Sequence, residues 1–397
     1  YRAGALPAAQ FVFVVLLFSY AVSLFAGRFR PRMNYLLKLF VPLVLWLVLV
    51  SVLSPFRYAA KEHLIEILKY LLPLMLISSG LRDRRSVYIV VLALTLSVGI
   101  WSSQGGVKGL TSGVTSDMRI KGGQMSDNND FMAGATAIVP MLVLFAFTYK
   151  GKAGKIVRLF FAAMLFLTLA AIVFSNSRGA AIGLIGLMIF YLAMVSKKRI
   201  RDFLVIVFVI FIGYQFLPET FFDRMSTIEF SLEEQTEESA AGRLMLMKAA
   251  ARAALDYPLK GVGPDCWLYI VKDYVDTAHE PHNAYLKLAA ETGFPGLLLY
   301  LIICIGTIYR MLLLSAQTRL RGWTADANLC MAMGCTIMGM MLPLTFLNHP
   351  FSEFLWAWLA VANAYHVIIS EERADVAEEQ SAMEEQSATE EPTVTKG

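Results

Sequence analysis

Charged residues are scarce in this chain, since only 17% of its 397 positions are Asp, Glu, Lys or Arg, whereas 57% are hydrophobic. Soluble globular domains carry about 25% charged residues. The composition therefore excludes an ordinary soluble protein and predicts a polytopic membrane protein. The four cysteines, Cys266, Cys304, Cys330 and Cys335, are also few, and their spacing suggests neither a metal site nor a disulfide framework.

Eleven apolar segments approach the length of about 20 residues with which a helix crosses a bilayer. Helices are the expected solution because they satisfy their backbone hydrogen bonds within each segment. Since Tyr1 would then lie outside, a preceding twelfth helix is expected. The segments fall roughly at 6–26, 34–53, 64–80, 86–102, 131–149, 157–175, 179–195, 202–217, 296–314, 325–347 and 354–370.

Short basic loops alternate along the chain, at 27–32, 82–85, 149–152, 197–201 and 310–321. All five fall on one side of the predicted bundle, which the positive-inside rule makes the cytoplasmic side. The excess positive charge is explained by these loops, so it does not indicate nucleic-acid binding. The outer loops are then 54–63, 103–130, 175–178, 218–295 and 348–353.

The pattern predicts four regions of the chain. Residues 1–217 form eight transmembrane helices, residues 218–295 an outer domain with amphipathic helices, and residues 296–370 three further transmembrane helices. Residues 371–397 hold nine acidic residues against two basic ones and lack apolar periodicity, so this tail is predicted to be disordered.

The most informative motif runs from His279 to Gly296 in the outer domain. Pro281 favours the start of a helix, and Gly293 with the following proline favours its end. This would put His282 in the first helical turn, where the positive end of the helix dipole disfavours imidazolium and favours a neutral general base. The alternative is that His282 only caps the helix.

Two arginines are predicted on the same outer face. Arg178 lies at the junction of two apolar segments, and Arg243 lies on a predicted helix over 239–255. Guanidinium groups match phosphate oxygens well, although Arg178 could instead extend to lipid headgroups. Gly261 and Gly263 resemble a phosphate cradle only faintly, and a tight turn is the preferred interpretation.

The outer loop 103–130 contains a glycine-rich stretch, 104–109, and the polar residues Asp127, Asn128 and Asn129. Such residues suit a folded re-entrant segment that holds sugar hydroxyls, and a plain turn before the next helix is an equal alternative. Two other outer histidines, His63 and His349, are interpreted as interface residues rather than catalysts.

These motifs resemble those of the O-antigen ligase and Wzy polymerase superfamily. The similarity covers roughly 100–350, and further similarity at 105–109, 127–129 and 224–228 points to an exosortase-associated O-glycosylation ligase branch. The residues that carry the main resemblance are Ser177-Arg178-Gly179-Ala180, Ala241-Gly242-Arg243, Pro258 to Gly263, His282-Asn283-Ala284-Tyr285-Leu286 and Glu291 to Gly296.

The resemblance implies an all-α, GT-C-like enzyme of the bacterial inner membrane whose active site faces the periplasm. It would transfer a glycan from undecaprenyl pyrophosphate to lipid A core or another glycan or protein acceptor, with inversion and without metal or cofactor. By motif, Arg178 and Arg243 would bind the pyrophosphate and His282 would act on the acceptor hydroxyl. His279 is a second candidate base, and the choice of His282 depends on the match of His282-Asn283 to the family pattern. Supporting residues would come from His279, Glu280, Asn283, Glu291, Asp127, Asn128 and Asn129.

Two alternatives remain open at this point. A Wzy-type polymerase would use nearly the same site, with a second lipid-linked repeat as its acceptor. A transporter of lipid-linked glycan would need ionisable residues within helices and related halves. No internal repeat is evident, and only Lys38, Glu66 and Lys69 place charge near the ends of spans. The sequence therefore favours an enzyme.

Overall fold

A computed structural model of the protein describes residues 18–20, 22–27, 32–112, 128–148, 151–175, 177–214 and 240–389. Within these ranges the backbone is helical apart from turns and short connections, and it contains no strand. The all-α fold class predicted from composition is therefore confirmed.

Twelve α-helices make up most of the backbone that the structure describes. A π-helical turn, Tyr191–Val195, extends the sixth helix. The helices are α1 (Tyr35–Leu53), α2 (Arg57–Gly80), α3 (Arg84–Ser112), α4 (Asn128–Thr148), α5 (Gly151–Phe174), α6 (Arg178–Phe190), α7 (Arg199–Tyr214), α8 (Ala240–Asp256), α9 (Trp267–Ile270), α10 (Ala284–Leu320), α11 (Thr324–Met341) and α12 (Glu353–Thr389).

Every predicted apolar segment from 34–53 onwards coincides with one of these helices. Seven helices among the described residues are long and apolar enough to cross a membrane, and a shorter apolar helix covers Gly179–Val195. The predicted segment 6–26 lies largely outside the described residues. The chain is a polytopic membrane bundle.

The glycine-rich stretch 104–109 lies within α3, so neither a re-entrant segment nor a turn forms there. Its glycines allow α3 to pack closely against α5. A Cβ atom at Gly106 would overlap the backbone of Leu167, and one at Gly109 would overlap the ring of Phe174. Small residues let helices in membranes approach each other closely, which explains these glycines without a ligand.

The acidic tail differs from its prediction, because α12 continues as one helix to Thr389. The disorder predicted from residue 371 is therefore wrong for 371–389, and residues 390–397 lie outside the description. Alanine and glutamate are strong helix formers. Tertiary contacts also hold the segment, since Glu371 pairs with Arg32 at 2.9 Å and Glu372 pairs with Arg84.

Contacts between loops distinguish the two ends of the bundle. Loops predicted to be cytoplasmic meet at one end, where Arg84 also pairs with Asp326 at 2.8 Å. Loops predicted to be outer meet at the other end, where Ser54 donates a hydrogen bond to the carbonyl of Val262. The candidate functional residues lie at this second end.

Candidate functional site

Helix α10 consists of two helical parts joined at Gly293, whose φ of +69° is not helical. Only glycine adopts this conformation readily. The carbonyl of Leu259 lies against Gly293, and a Cβ atom there would overlap it. The predicted end of the first helical part is therefore confirmed at Gly293, and the segment Ala284–Thr292 forms a separate short helix at the outer end.

Backbone carbonyls at the end of this short helix accept hydrogen bonds from other segments. The N–H of Val262 donates to Ala290 at 3.1 Å, and the N–H of Gly263 donates to Glu291 at 2.8 Å. The indole of Trp46 donates to the carbonyl of Thr292 at 2.8 Å. These donors replace intrahelical ones that are lost at the kink.

The same contacts settle the interpretation of the glycine turn at 257–265. Gly261 and Gly263 have φ values of +62° and +114°, and a Cβ atom at Gly261 would overlap the backbone of Glu291. Because the amide of Gly263 is already donating to a protein carbonyl, the turn caps a helix. The preferred interpretation of a tight turn is confirmed over that of a phosphate cradle.

Helix α8 packs on the short helix through small residues. Its buried face consists of Leu246, Ala249, Ala250, Ala253 and Ala254, which share a cluster with Ala289 and Ala290. Arg243 and Met247 lie at the partly buried edge of this face.

Arg243 lies one turn above this buried face, near the start of α8. Its Nε is buried and has no hydrogen-bond partner within the part of the chain that the structure describes. A guanidinium group can only donate hydrogen bonds, so a buried Nε favours an added acceptor.

A buried lysine ties the histidine loop to the glycine turn. The Nζ atom of Lys287 lies 2.6 Å from Asp265, 3.0 Å from Glu280 and 3.9 Å from Glu291. The lysine side chain is only 5% exposed. His63 joins the network from α2, with its Nδ1 3.0 Å from Asp265.

This network accounts for the positions of Glu280, Glu291 and His63, whose roles the sequence did not determine. Burial raises the pKa of Glu280, although the neighbouring Lys287 opposes the shift. Glu291 is buried and accepts a hydrogen bond from the backbone N–H of Trp267 at 3.2 Å. His63 faces a carboxylate here, so the interpretation of a simple interface histidine is incomplete.

His282 lies just before the short helix and not within its first turn. Asn283 is the N-cap residue, and its side chain accepts hydrogen bonds from the N–H groups of Tyr285 and Leu286. His282 has a φ of +49°, a left-handed conformation that is uncommon outside glycine. The predicted helix start at Pro281 was three residues too early, because Asn283 is the better cap and the helix begins at Ala284.

His282 meets a loop that follows α11. Its Nδ1 lies 3.3 Å from Nδ2 of Asn348. Tyr285 holds the two segments together by donating to the carbonyl of Met341 at 2.6 Å. Oδ1 of Asn348 is buried without a hydrogen-bond partner among the described residues.

His349, the next residue, faces the start of α4. Its Nε2 lies 3.7 Å from Oδ2 of Asp130, which is 8% exposed. The sequence pattern indicated an interface role for His349 and gave no specific role to Asn348 or Asp130. The only available signal was that 348–353 and 103–130 were both predicted as outer loops.

The polar residues at the start of α4 meet the junction before α6. Asn128 donates to the carbonyl of Ser175 at 3.1 Å, and the hydroxyl of Ser177 lies 2.8 Å from Oδ1 of Asn129. Ser177 is the N-cap of α6, and Arg178 is the first residue of that helix. The structure thus brings Asn128, Asn129 and the start of the Arg178 helix together.

The other predicted site residues have different positions. His279 is exposed, and its backbone carbonyl accepts a hydrogen bond from the indole of Trp267 at 2.8 Å. Asp127 lies outside the described residues. Across the described part of the chain, no group of three or more His, Cys, Asp and Glu side chains could hold a metal ion. Where Asp265, Glu280 and Glu291 come together, the ammonium group of Lys287 lies among the carboxylates.

Comparison with known families gives two matches along the chain. Residues 162–301 match a family described as O-antigen ligase, and residues 3–152 match a family of unknown function. No curated protein matches the chain. The first match contains the start of α6, all of α8, the glycine turn, the histidine loop and the kink at Gly293. The match of residues 162–301 supports membership of the O-antigen ligase and Wzy superfamily.

Proposed function

We propose that the protein transfers a glycan from undecaprenyl pyrophosphate to an acceptor hydroxyl at the outer, periplasmic end of the bundle. The acceptor would be lipid A core or another glycan or protein, and the enzyme would reside in the bacterial inner membrane. The main support is the contact of the His282 loop with Asn348, beside the His349–Asp130 pair, within a chain of the O-antigen ligase superfamily.

In this reaction the acceptor oxygen attacks the anomeric carbon of the glycan. The new bond forms as the bond from that carbon to the pyrophosphate oxygen breaks, and attack from the opposite face inverts the configuration. Negative charge grows on the departing pyrophosphate. Arg178 and Arg243 would stabilise this charge, because preorganised guanidinium groups need no metal to do so.

The acceptor proton would pass to Nε2 of His282. This role requires Nδ1 to carry a proton and to be held by an acceptor. Turning the amide of Asn348 about its terminal bond would place Oδ1 on Nδ1 of His282 and would satisfy an oxygen that is otherwise buried without a partner. Asn348 would then be a positioning residue that fixes the tautomer.

Purified protein incubated with an undecaprenyl-pyrophosphate-linked glycan and each acceptor in turn tests the proposal. Release of lipid pyrophosphate together with a product of acceptor plus glycan mass is expected. A ladder of lengthening lipid-linked repeats would instead identify a polymerase of the same superfamily. Donor binding without transfer to any acceptor would refute an enzymatic function and favour a transporter.

Substitutions test the residue roles in the same assay. His282→Ala should abolish transfer while the protein remains folded, whereas His279→Ala should retain activity. The opposite result would make His279 the base. Arg178→Lys and Arg243→Lys should both be severely impaired, because a lysine lacks the bidentate fork. Full activity of His282→Ala would remove the general-base assignment.

A further inference from the structure

A polar cavity lies far from His282. Arg310, in its wall, is 17 residues beyond Gly293 on α10, which corresponds to about 25 Å along the helix. The cavity therefore lies towards the end of the bundle that the basic loops predict to be cytoplasmic. It has a volume of about 140 Å³, and its polar lining consists of Asn34, Tyr35, Lys38, Arg310, Asn363 and His366.

Arg310 brings a positive charge to this cavity that no carboxylate balances among the described residues. Its guanidinium lies over the ring of Tyr35 at 5.1 Å, and Nη2 lies 3.3 Å from Nδ1 of His366. Its Nε is buried without a hydrogen-bond partner in the described part of the chain. Arg310 is partly buried, and placing a partly buried guanidinium without an anion is unfavourable, so the cavity favours an anionic ligand.

The start of α1 adds to this positive potential. Asn34 caps the helix by accepting from the N–H of Leu37, and its amide donates to Ser78, so its own side chain is occupied. The positive end of the helix dipole lies here. Lys38 lines the same cavity from the first turn and is exposed.

The surface next to the cavity indicates the form of the anion. Val41 and Leu45 follow Lys38 at helical spacing on α1, and they are 54% and 64% exposed. Helix α1 is one of the candidate membrane spans. If a lipid phosphate binds at Lys38, the acyl chains of that lipid would therefore lie along an exposed apolar surface.

We propose that this cavity binds the phosphate group of an anionic phospholipid, with Lys38 and Arg310 as its cationic ligands and the acyl chains along Val41 and Leu45. A free phosphate ion shares the headgroup chemistry but lacks the chains. The proposal is independent of the transferase reaction, because it concerns the opposite end of the bundle.

Native mass spectrometry of the full-length protein in detergent tests this site. Phosphatidylglycerol, phosphatidylcholine and inorganic phosphate are titrated separately against the wild-type protein, Lys38→Gln and Arg310→Gln. Lys155→Gln is the matched control, since it removes an exposed positive charge on α5 that does not line the cavity. Thermal unfolding checks that each variant is folded.

Phosphatidylglycerol should bind more tightly than phosphatidylcholine, and Lys38→Gln should weaken it about fivefold, as expected for one basic residue near a membrane surface. Lys155→Gln should bind like the wild-type protein. Equal binding of the two lipids, or unchanged phosphatidylglycerol binding by Lys38→Gln, would overturn the proposal. Displacement of phosphatidylglycerol by millimolar inorganic phosphate would also overturn it, in favour of a small-anion site.

Discussion

Replacing Lys287 with Met should loosen the outer segment that carries the histidine loop. The lysine is 5% exposed and interacts with Asp265, Glu280 and Glu291. Methionine preserves much of the volume but leaves three carboxylates without their shared cation. The change therefore tests whether the ion network holds the glycine turn against the short helix 284–292.

The expected loss of local stability in Lys287→Met follows from the free-energy cost of breaking a buried ion pair. Removing one partner costs about 3–5 kcal/mol when the remaining charge is buried. Asp265 is 41% exposed, so solvent relieves part of this cost and the lower value, about 3 kcal/mol, applies. A local opening free energy lowered by about 3 kcal/mol accelerates amide exchange about 150-fold.

Hydrogen–deuterium exchange of the detergent-solubilised protein measures this effect on residues 284–292. Lys248→Met is the matched control, because Lys248 is exposed on α8 and should change stability by less than about 0.5 kcal/mol. If the protection of 284–292 in Lys287→Met is within twofold of the wild-type value, the ion network does not hold the glycine turn against the short helix.

The same variant should respond to pH in a defined direction. Burial raises the pKa of Glu280 in the folded wild-type protein, and removal of Lys287 takes away the charge that opposes this rise. A raised folded pKa contributes stability that is present below the unfolded pKa and lost as pH rises through the folded pKa. The exchange difference between Lys287→Met and the wild-type protein should therefore grow as the pH rises above the ordinary glutamate pKa of 4.5, after correction for intrinsic exchange rates.

Three further outcomes are expected. Gly293→Ala should lower the unfolding temperature more than Gly322→Ala. Both glycines have a positive φ, but only Gly293 lies against the backbone of Leu259. Equal losses of unfolding temperature would show that this close packing does not matter. Asn348→Asp should shift the acidic limb of the pH–rate profile upwards, since a carboxylate favours the protonated form of His282; an unmoved profile would contradict the positioning role. Transfer should persist in EDTA, and a loss that Mg²⁺ reverses would exclude the metal-free mechanism.

The sequence alone determined most of the helical framework. A membrane-spanning segment is a local property, because about 20 consecutive apolar residues satisfy both the bilayer and their own backbone. Ten predicted segments consequently coincide with helices. The break at Gly293 was also predictable, since glycine followed by a nearby proline interrupts a helix wherever it occurs.

The local sequence pattern could not predict the structure where the same composition is compatible with two different structures. The glycines at 104–109 suit a polar loop or a close helix contact, and only the position of α5 decided for the contact. The acidic tail lacks apolar periodicity, yet its alanines and glutamates favour helix and its first residues find Arg32 and Arg84.

The surroundings of the candidate site were decided by tertiary structure. Motifs identified His282 and the start of α6, but the partner of His282 is Asn348, 66 residues further along the chain. Trp46 reaches a carbonyl 246 residues away. Such pairs depend on how helices pack and not on local spacing, so sequence determined the helices and their order, whereas packing decided which polar residues meet at their outer ends.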